Sequence, residues 1–100
     1  MSQQEERLPR ILIVEDDERL ASLTQEYLIR NGMQVAIETD GNRAIRRILS
    51  EQPDLVVLDV MLPGSDGLTI CREVRPHYHH PILMLTARTD DMDQVLGLEM

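Results

Sequence analysis

The chain lacks several features that mark whole classes of protein. Its 100 residues include one cysteine, so no disulfide can form within the chain, which indicates a reducing compartment. No apolar run approaches the roughly 20 residues of a membrane-spanning helix, and the polar start lacks the apolar core of a signal peptide. Acidic residues outnumber basic ones, and the net charge of -8 argues against this segment binding DNA or an anionic membrane. We therefore expect one cytoplasmic domain behind a flexible tail over residues 1–8.

The remaining sequence alternates short apolar runs with amphipathic stretches. Strands are predicted over about residues 10–14, 34–38, 55–58 and 82–85, and helices over about 18–30 and 42–51, from about 66–67, and from about 90. Runs of four or so apolar residues are typical of strands buried on both faces of a parallel sheet. Strands that each lead into a helix predict an α/β fold with a doubly wound parallel sheet.

Helical spacing also predicts which side chains face the sheet. The first helix carries apolar residues at this spacing, the second places arginines on its outer face, and the third buries a cysteine. The residues concerned are Leu20, Leu23, Tyr27 and Leu28; Ala44, Ile45, Ile48 and Leu49, with Arg43, Arg46 and Arg47 outside; and Leu68, Cys71 and Val74. A cysteine on the inner face of a helix indicates packing.

Polar side chains follow three of the apolar runs. Glu15 and Asp16 come after the first, Asp59 ends the third and Thr86 follows the fourth. The carboxyl ends of parallel strands share one edge of a sheet, where open α/β sheets bind their ligands. Carboxylates about 5 Å apart repel by about 3 kcal/mol per pair at an effective dielectric near 20, so the cluster needs protons or a cation. Oxygen ligands of this kind favour Mg²⁺.

A carboxylate beside Mg²⁺ can attack a phosphoryl group and form an acyl phosphate. Thr86 is placed to donate a hydrogen bond to a phosphoryl oxygen, and the backbone N–H of Ala87 to donate another. The backbone carbonyl of Met61 is expected to point at the metal. Taken alone, however, Glu15 and Asp16 could equally form a helix cap, and Asp17 is better explained as a cap than as a ligand.

The motifs that carry these residues resemble the receiver domain of two-component response regulators. The resemblance covers residues 9–100, rests on the segments 11–17, 54–64 and 81–87, and is closest to receivers of the OmpR/PhoB type. It implies a flavodoxin-like (CheY-like) fold with strand order 2-1-3-4-(5). It also implies that Asp59 is the phosphoacceptor and Thr86 the switch hydroxyl. Asp16, Glu15 (through water), Asp59 and the Met61 carbonyl would then hold Mg²⁺.

The resemblance further implies partners and missing parts. A sensor histidine kinase would donate the phosphoryl group, and the full-length protein would form a homodimer and bind DNA through an effector domain absent from this chain. Such domains are regulators rather than enzymes. The family's fifth strand, phosphate-pairing lysine and fifth helix are absent from the sequence. We therefore expect a fragment whose fourth strand has an open edge, with self-association through that edge.

Other interpretations stay open at this stage. A degenerate receiver that acts as an interaction module without phosphorylation is the main alternative. A magnesium-dependent phosphatase would want a second aspartate two residues after Asp59, where this chain has Met61. A histidine-bearing loop over residues 75–81 could hold a transition metal, but solvated histidines are the commoner case.

Overall fold

The computed structural model describes residues 7–60, 62 and 66–85 in full and the backbone of residues 98–99. The strands are β1 (Arg10–Val14), β2 (Gln34–Glu38), β3 (Leu55–Asp59), β4 (Ile82–Leu85) and β5 (Leu98–Glu99). The helices of this part of the chain are α1 (Glu18–Arg30), α2 (Gly41–Glu51) and α3 (Gly67–Val74). The helix predicted from about residue 90 falls mostly outside the described residues.

The sheet has the strand order β2-β1-β3-β4-β5. Its first four strands are parallel, as the continuous apolar runs predicted, and the register sets Val14 beside both Glu38 and Leu58. Asp59 pairs with Leu85 on the other side of β3. This is the flavodoxin-like, doubly wound α/β fold expected from the sequence, and it brings the ends of β1, β2, β3 and β4 to one edge.

Alternate residues of the central strands build two cores, one on each face of the sheet. Leu12, Val14, Val56 and Leu58 pack with α2 and α3, while Ile11, Ile13 and Val57 pack with Ala21 of α1. Because β1 and β3 are covered on both faces, nearly every one of their side chains is buried. That double burial explains why these strands read as unbroken apolar runs.

The helix ends follow the capping signals in the sequence. Asp17, Asp40 and Asp66 are the N-caps of α1, α2 and α3, and each side chain accepts backbone N–H groups from the first turn of its helix. Asn31 caps the end of α1, and Gly32 follows with φ at +88°, a conformation that glycine adopts without strain. These caps fix where each helix begins or ends relative to the strand edge.

Several predicted inward faces are wrong. On α1, Leu20, Leu23 and Tyr27 are 44%, 58% and 63% exposed, whereas the small Ala21 is buried against the sheet. Leu28 of the predicted set does pack on that core. On α3, Leu68 is exposed and Ile70 is buried in its place. Spacing alone cannot choose between two overlapping apolar stripes, and close packing of α1 on the sheet selects the smaller residue. The inward residues Ala44 and Ile48 of α2 and Cys71 and Val74 of α3 are confirmed.

The edge of β4 also differs from the expectation. A helix was predicted from about residue 90, but Leu98–Glu99 form β5, which is antiparallel to β4 and pairs with Met84 and Leu83. The unpaired N–H and C=O groups of an edge strand favour any strand that can pair with them. Since this edge is covered over those two residues, the predicted self-association through β4 loses its structural basis.

Candidate functional site

Three carboxylates meet where β1 and β3 end. Glu15, Asp16 and Asp59 each offer an oxygen, and these oxygens all lie within 4.8 Å of one another. Asp59 is 8% exposed, Glu15 is half-buried and Asp16 is exposed, so the three carboxylates extend from the interior of the sheet to the solvent. Among the residues that the structure describes, this is the one group of acidic, histidine or cysteine side chains with metal-binding proximity.

Regular strand pairing places Asp59 and Glu15. Asp59 is the last residue of β3, and the next residue, Val60, donates its N–H to the Leu85 carbonyl at 3.1 Å. The N–H of Glu15 donates to the Glu38 carbonyl at 3.0 Å, which extends the β1–β2 pairing by one residue. Asp17 then turns the chain into α1 as its N-cap, so it serves as the cap that the sequence favoured.

Crowding changes the acidity of Glu15. Burial raises the pKa of Glu15 to about 7, the N–H of Asp17 opposes the shift with a 3.0 Å hydrogen bond, and the charge and hydrogen bond of Asp59 add to it. Asp16 raises the same pKa further through its charge. Without a cation, a substantial fraction of Glu15 therefore stays protonated at neutral pH, as expected when acids share a small volume.

A cavity of about 70 Å³ opens beside the acids. It lies between α1 and the ends of β1, β3 and β4. Its lining residues are Ile13, Val14, Glu15, Leu20, Ala21, Thr24, Val57, Asp59 and Leu85. The carboxylates of Glu15 and Asp59 are thus bordered by apolar walls, which lower the local dielectric and strengthen the interactions of any charge held there.

Gly67 belongs to the structural support of the site, although no sequence motif indicated this role. A Cβ placed on Gly67 would lie 2.9 Å from the Asp59 carbonyl oxygen and 3.0 Å from the Val60 Cα. Its own N–H donates to the Val60 carbonyl at 2.9 Å. Glycine therefore allows α3 to begin directly against the strand end that carries Asp59. The Asp-Gly pair at residues 66–67 was the available signal, but it was interpreted only as a helix start.

Not every predicted site residue can be placed. Thr86, Ala87 and Met61 lie outside the described residues, so their proposed contacts stay predictions. His77, His79 and His80 are exposed, and the structure does not gather them into a candidate metal group. Cys71 is buried in the core between sheet and helices, as its packing interpretation predicted.

The donor set fits a hard divalent cation. All three side chains supply carboxylate oxygens, and the exposed position of Asp16 leaves room for water ligands. Magnesium takes one or two protein carboxylates and keeps several waters, whereas zinc and copper sites favour nitrogen or sulfur. Glu15, Asp16 and Asp59 are therefore the residues that would hold Mg²⁺.

Among the residues that the structure describes, no helix has the length and apolar character needed to span a bilayer.

Comparison with known proteins places this geometry in a family. Residues 11–100 match the family described as response regulator receiver domain. The chain is 50% identical over 90 residues to the transcriptional regulatory protein RstA of Escherichia coli K12, covering 90% of this chain and 38% of that protein.

Solved structures agree. The BeF₃-activated receiver domain of Klebsiella pneumoniae RstA is 44% identical with a TM-score of 0.76, covering 86% of this chain and 74% of that one. The Thermotoga maritima regulator TrrA, solved with Mg²⁺ and BeF, is 30% identical with a TM-score of 0.77, covering 88% and 77%.

Proposed function

Since this chain belongs to the family of response regulator receiver domains, we propose that Asp59 accepts a phosphoryl group and thereby switches a two-component transcriptional regulator. One observation carries the proposal. Asp59 is a nearly buried carboxylate at the end of a central strand, with oxygens of Glu15 and Asp16 within 4.8 Å. A nucleophilic carboxylate beside a magnesium-binding pair is the arrangement that acyl phosphate formation needs.

The proposed reaction is a transfer from a phosphohistidine of a sensor histidine kinase. A carboxylate oxygen of Asp59 attacks phosphorus, the phosphorus–nitrogen bond breaks, and its electron pair stays on the imidazole, which then takes a proton from solvent. Bound Mg²⁺ would neutralise charge on the phosphoryl oxygens and the carboxylates. The Mg²⁺ and BeF in the TrrA structure support this assignment.

The remaining site roles belong to the same proposal. The Thr86 hydroxyl and the Ala87 backbone N–H would donate hydrogen bonds to the transferred group. The Met61 carbonyl would complete the protein ligands of Mg²⁺ with Glu15 and Asp16. These roles are supported by the sequence motifs, in which Met61 follows the end of β3 and Thr86 and Ala87 follow the end of β4.

The role of the whole protein is inferred from its relatives. The chain spans 38% of the length of RstA, which is described as a transcriptional regulatory protein. We propose a receiver over residues 9–100 and a DNA-binding effector domain elsewhere in a cytoplasmic, homodimeric regulator. The sequence motifs resemble those of BfmR, a relative of RstA, and this resemblance supports a role of the whole protein in controlling biofilm formation and envelope stress. The protein would act as a regulator and not as a turnover enzyme.

The second candidate is a receiver that binds partners without phosphorylation. It predicts that the shape of the domain responds to a protein partner and ignores small phosphodonors. The phosphatase interpretation has weaker support, because Met61 stands where the general acid would be needed.

One experiment distinguishes a phosphorylated receiver from a receiver that is not phosphorylated. The protein is incubated with acetyl phosphate and analysed by electrophoresis in a gel that retards phosphoproteins. Labelling should require Mg²⁺ and vanish in Asp59→Asn. The control is Asp66→Asn, since Asp66 is an exposed helix cap and asparagine caps helices about as well. Labelling that persists in Asp59→Asn would overturn the assignment of the acceptor. Continuous release of phosphate from a phosphate ester would instead support a phosphatase.

A further inference from the structure

The end of β2 holds a buried carboxylate that the acidic site does not use. Glu38 is 7% exposed, although it lies at the same edge of the sheet as Asp59. One of its oxygens, Oε2, accepts the backbone N–H groups of Thr39 and Asp40, each at 3.0 Å, and the Nε–H of Arg43 at 3.1 Å. A single side-chain oxygen thus holds the turn between β2 and α2.

The second oxygen of Glu38 faces another arginine. Nη1 of Arg47 lies 3.5 Å from Oε1 of Glu38 and donates to the Ile37 carbonyl at 3.2 Å. Arg47 is held from its other side by Glu51 at 2.9 Å. Burial would raise the pKa of Glu38, but the Asp40 N–H and the Arg43 guanidinium outweigh it and hold that pKa below its usual range. Glu38 is therefore a charged, fully engaged group rather than a spare acid.

The backbone of Glu38 connects this clamp to the acidic site. Its carbonyl accepts the N–H of Glu15 at 3.0 Å, one residue beyond the pairing of Val14 with Glu38. This bond is the last one between β1 and β2, where strand ends otherwise fray toward solvent. The orientation of the Glu38 carbonyl depends on the following peptide, whose N–H is the Thr39 N–H held by the Glu38 side chain.

We propose that Glu38 is a positioning residue for the metal site, which holds the end of β2 so that its carbonyl fixes the backbone of Glu15. The inference rests on the proposed function, because it gives Glu15 a task in binding Mg²⁺. The clamp acts before metal arrives, so the ligand is already ordered and less conformational entropy is lost on binding. Arg43 and Arg47 offset the charge of Glu38, so the nearby acid adds little repulsion to the triad.

A purely structural role would be different. If Glu38 only capped α2, its loss would lower the stability of the fold and leave the backbone of Glu15 and the affinity for Mg²⁺ unchanged. Two readouts separate these roles: hydrogen exchange of the Glu15 amide in metal-free protein, and the dissociation constant for Mg²⁺ measured by calorimetry. The first does not depend on metal or on phosphorylation.

The test compares Glu38→Ala and Glu38→Gln with two controls. Glu51→Gln removes the other carboxylate on Arg47 but leaves in place the hydrogen bonds that Glu38 accepts from Thr39, Asp40 and Arg43. Ile48→Val lowers stability in the core of α2 by about 0.5–1.5 kcal/mol without touching the clamp. We expect Glu38→Ala to speed exchange of the Glu15 amide and to weaken Mg²⁺ binding about tenfold, the lower end for groups that orient metal ligands. Glu38→Gln keeps the acceptor oxygen and should fall between Glu38→Ala and the wild type.

The outcomes distinguish the two proposals. Protection of the Glu15 amide and Mg²⁺ affinity equal to wild type in a folded Glu38 variant would overturn the positioning role. Changes of the same size in Ile48→Val would overturn it too, because they would trace to stability alone. If Glu38→Ala does not fold, Glu38→Gln decides by the same criteria. A wild-type protein that binds no Mg²⁺ would count against the proposed function, and the amide exchange would still decide the role of Glu38.

Discussion

At the scale of single residues, Glu15 has the most unusual chemistry that the structure describes. Its neighbours are set by strand pairing, and burial next to Asp59 raises its pKa from 4.5 to about 7. The sequence predicted that these acids meet, because both follow buried strands. It could not predict the raised pKa of Glu15, because that depends on the burial of this carboxylate and on the Asp17 N–H that it accepts.

Stability should therefore depend on pH through Glu15. The folded, metal-free protein retains this proton up to about pH 7, while the unfolded chain releases it near 4.5. The contribution of Glu15 is thus complete below pH 4.5 and is lost as the pH rises through 7. Because Glu15 is partly exposed, we expect the loss to be about 1–2 kcal/mol after solvent screening.

Denaturant unfolding of metal-free protein on both sides of this range measures the effect. The difference between wild type and Glu15→Gln reports the titration of Glu15 together with its interaction with Asp59 and Asp16, since carboxyl groups elsewhere titrate equally in both proteins. Glu38 has the opposite sign, as its lowered pKa adds stability that disappears when the pH falls. If the free energy of unfolding depends on pH in the same way in the wild type and in Glu15→Gln, the pKa of Glu15 is not raised in the folded protein.

Tyr78 is a second residue whose role only the structure reveals. It is fully buried, and its hydroxyl donates to the Pro53 carbonyl at 2.7 Å, which ties the segment before β3 to the segment before β4. Burial raises the pKa of Tyr78 to about 12, so the hydroxyl stays protonated and remains a donor. The sequence placed Tyr78 in a loop between two prolines and gave no sign of this contact.

Tyr78→Phe should lower the free energy of unfolding by about 1–3 kcal/mol, because the Pro53 carbonyl loses its partner in a buried place. The matched control is Tyr27→Phe on α1, since Tyr27 is 63% exposed and should change stability by no more than about 0.5 kcal/mol. Equal effects of the two substitutions in chemical denaturation would mean that the buried hydrogen bond contributes nothing.

At the scale of elements, the sequence predicted more about boundaries than about faces. The bounds of β1, α1, β2 and β4 agree with the structure because apolar runs and the Asp17 cap are local signals. The face of α1 was wrong because burial depends on how closely the helix approaches the sheet. Ala21 permits that approach, and it leaves Leu23 exposed.

Truncation of one side chain on each helix tests these faces. Ile48→Ala in α2 should cost about 2–5 kcal/mol, because Ile48 is fully buried among core residues. Leu23→Ala in α1 should cost no more than about 0.5 kcal/mol in this 100-residue chain, because Leu23 is 58% exposed. A loss at Leu23 comparable to that at Ile48 would show that α1 buries the stripe first predicted from helical spacing.

At the scale of the whole molecule, topology brings the acidic residues together. Glu15 and Asp59 are distant in sequence, yet parallel pairing of β1 with β3 sets their strand ends side by side. The apolar runs made this edge predictable. The contacts that support this edge could not be predicted from the sequence. The hydrogen bonds of Glu38 and the close approach at Gly67 depend on distances between elements, which no local pattern encodes.

Mg²⁺ should stabilise the whole domain, since it binds the folded cluster and finds no preformed site in the unfolded chain. At a concentration one hundred times the dissociation constant, the gain is about 2.7 kcal/mol. Asp16→Asn should reduce this gain, whereas Glu26→Gln on the exposed face of α1 should preserve it. Thermal unfolding with Mg²⁺ and with a chelator gives the comparison. Identical midpoints in the wild type would argue against a magnesium site.

The most direct test of the central claim is the intact mass of the protein before and after incubation with Mg²⁺ and acetyl phosphate. We expect a gain of one phosphoryl group in the wild type, no gain in Asp59→Asn and no gain when Mg²⁺ is chelated. Protein whose mass stays unchanged with Mg²⁺ present, or an Asp59→Asn variant that gains the same mass as wild type, would contradict Asp59 as the phosphoacceptor.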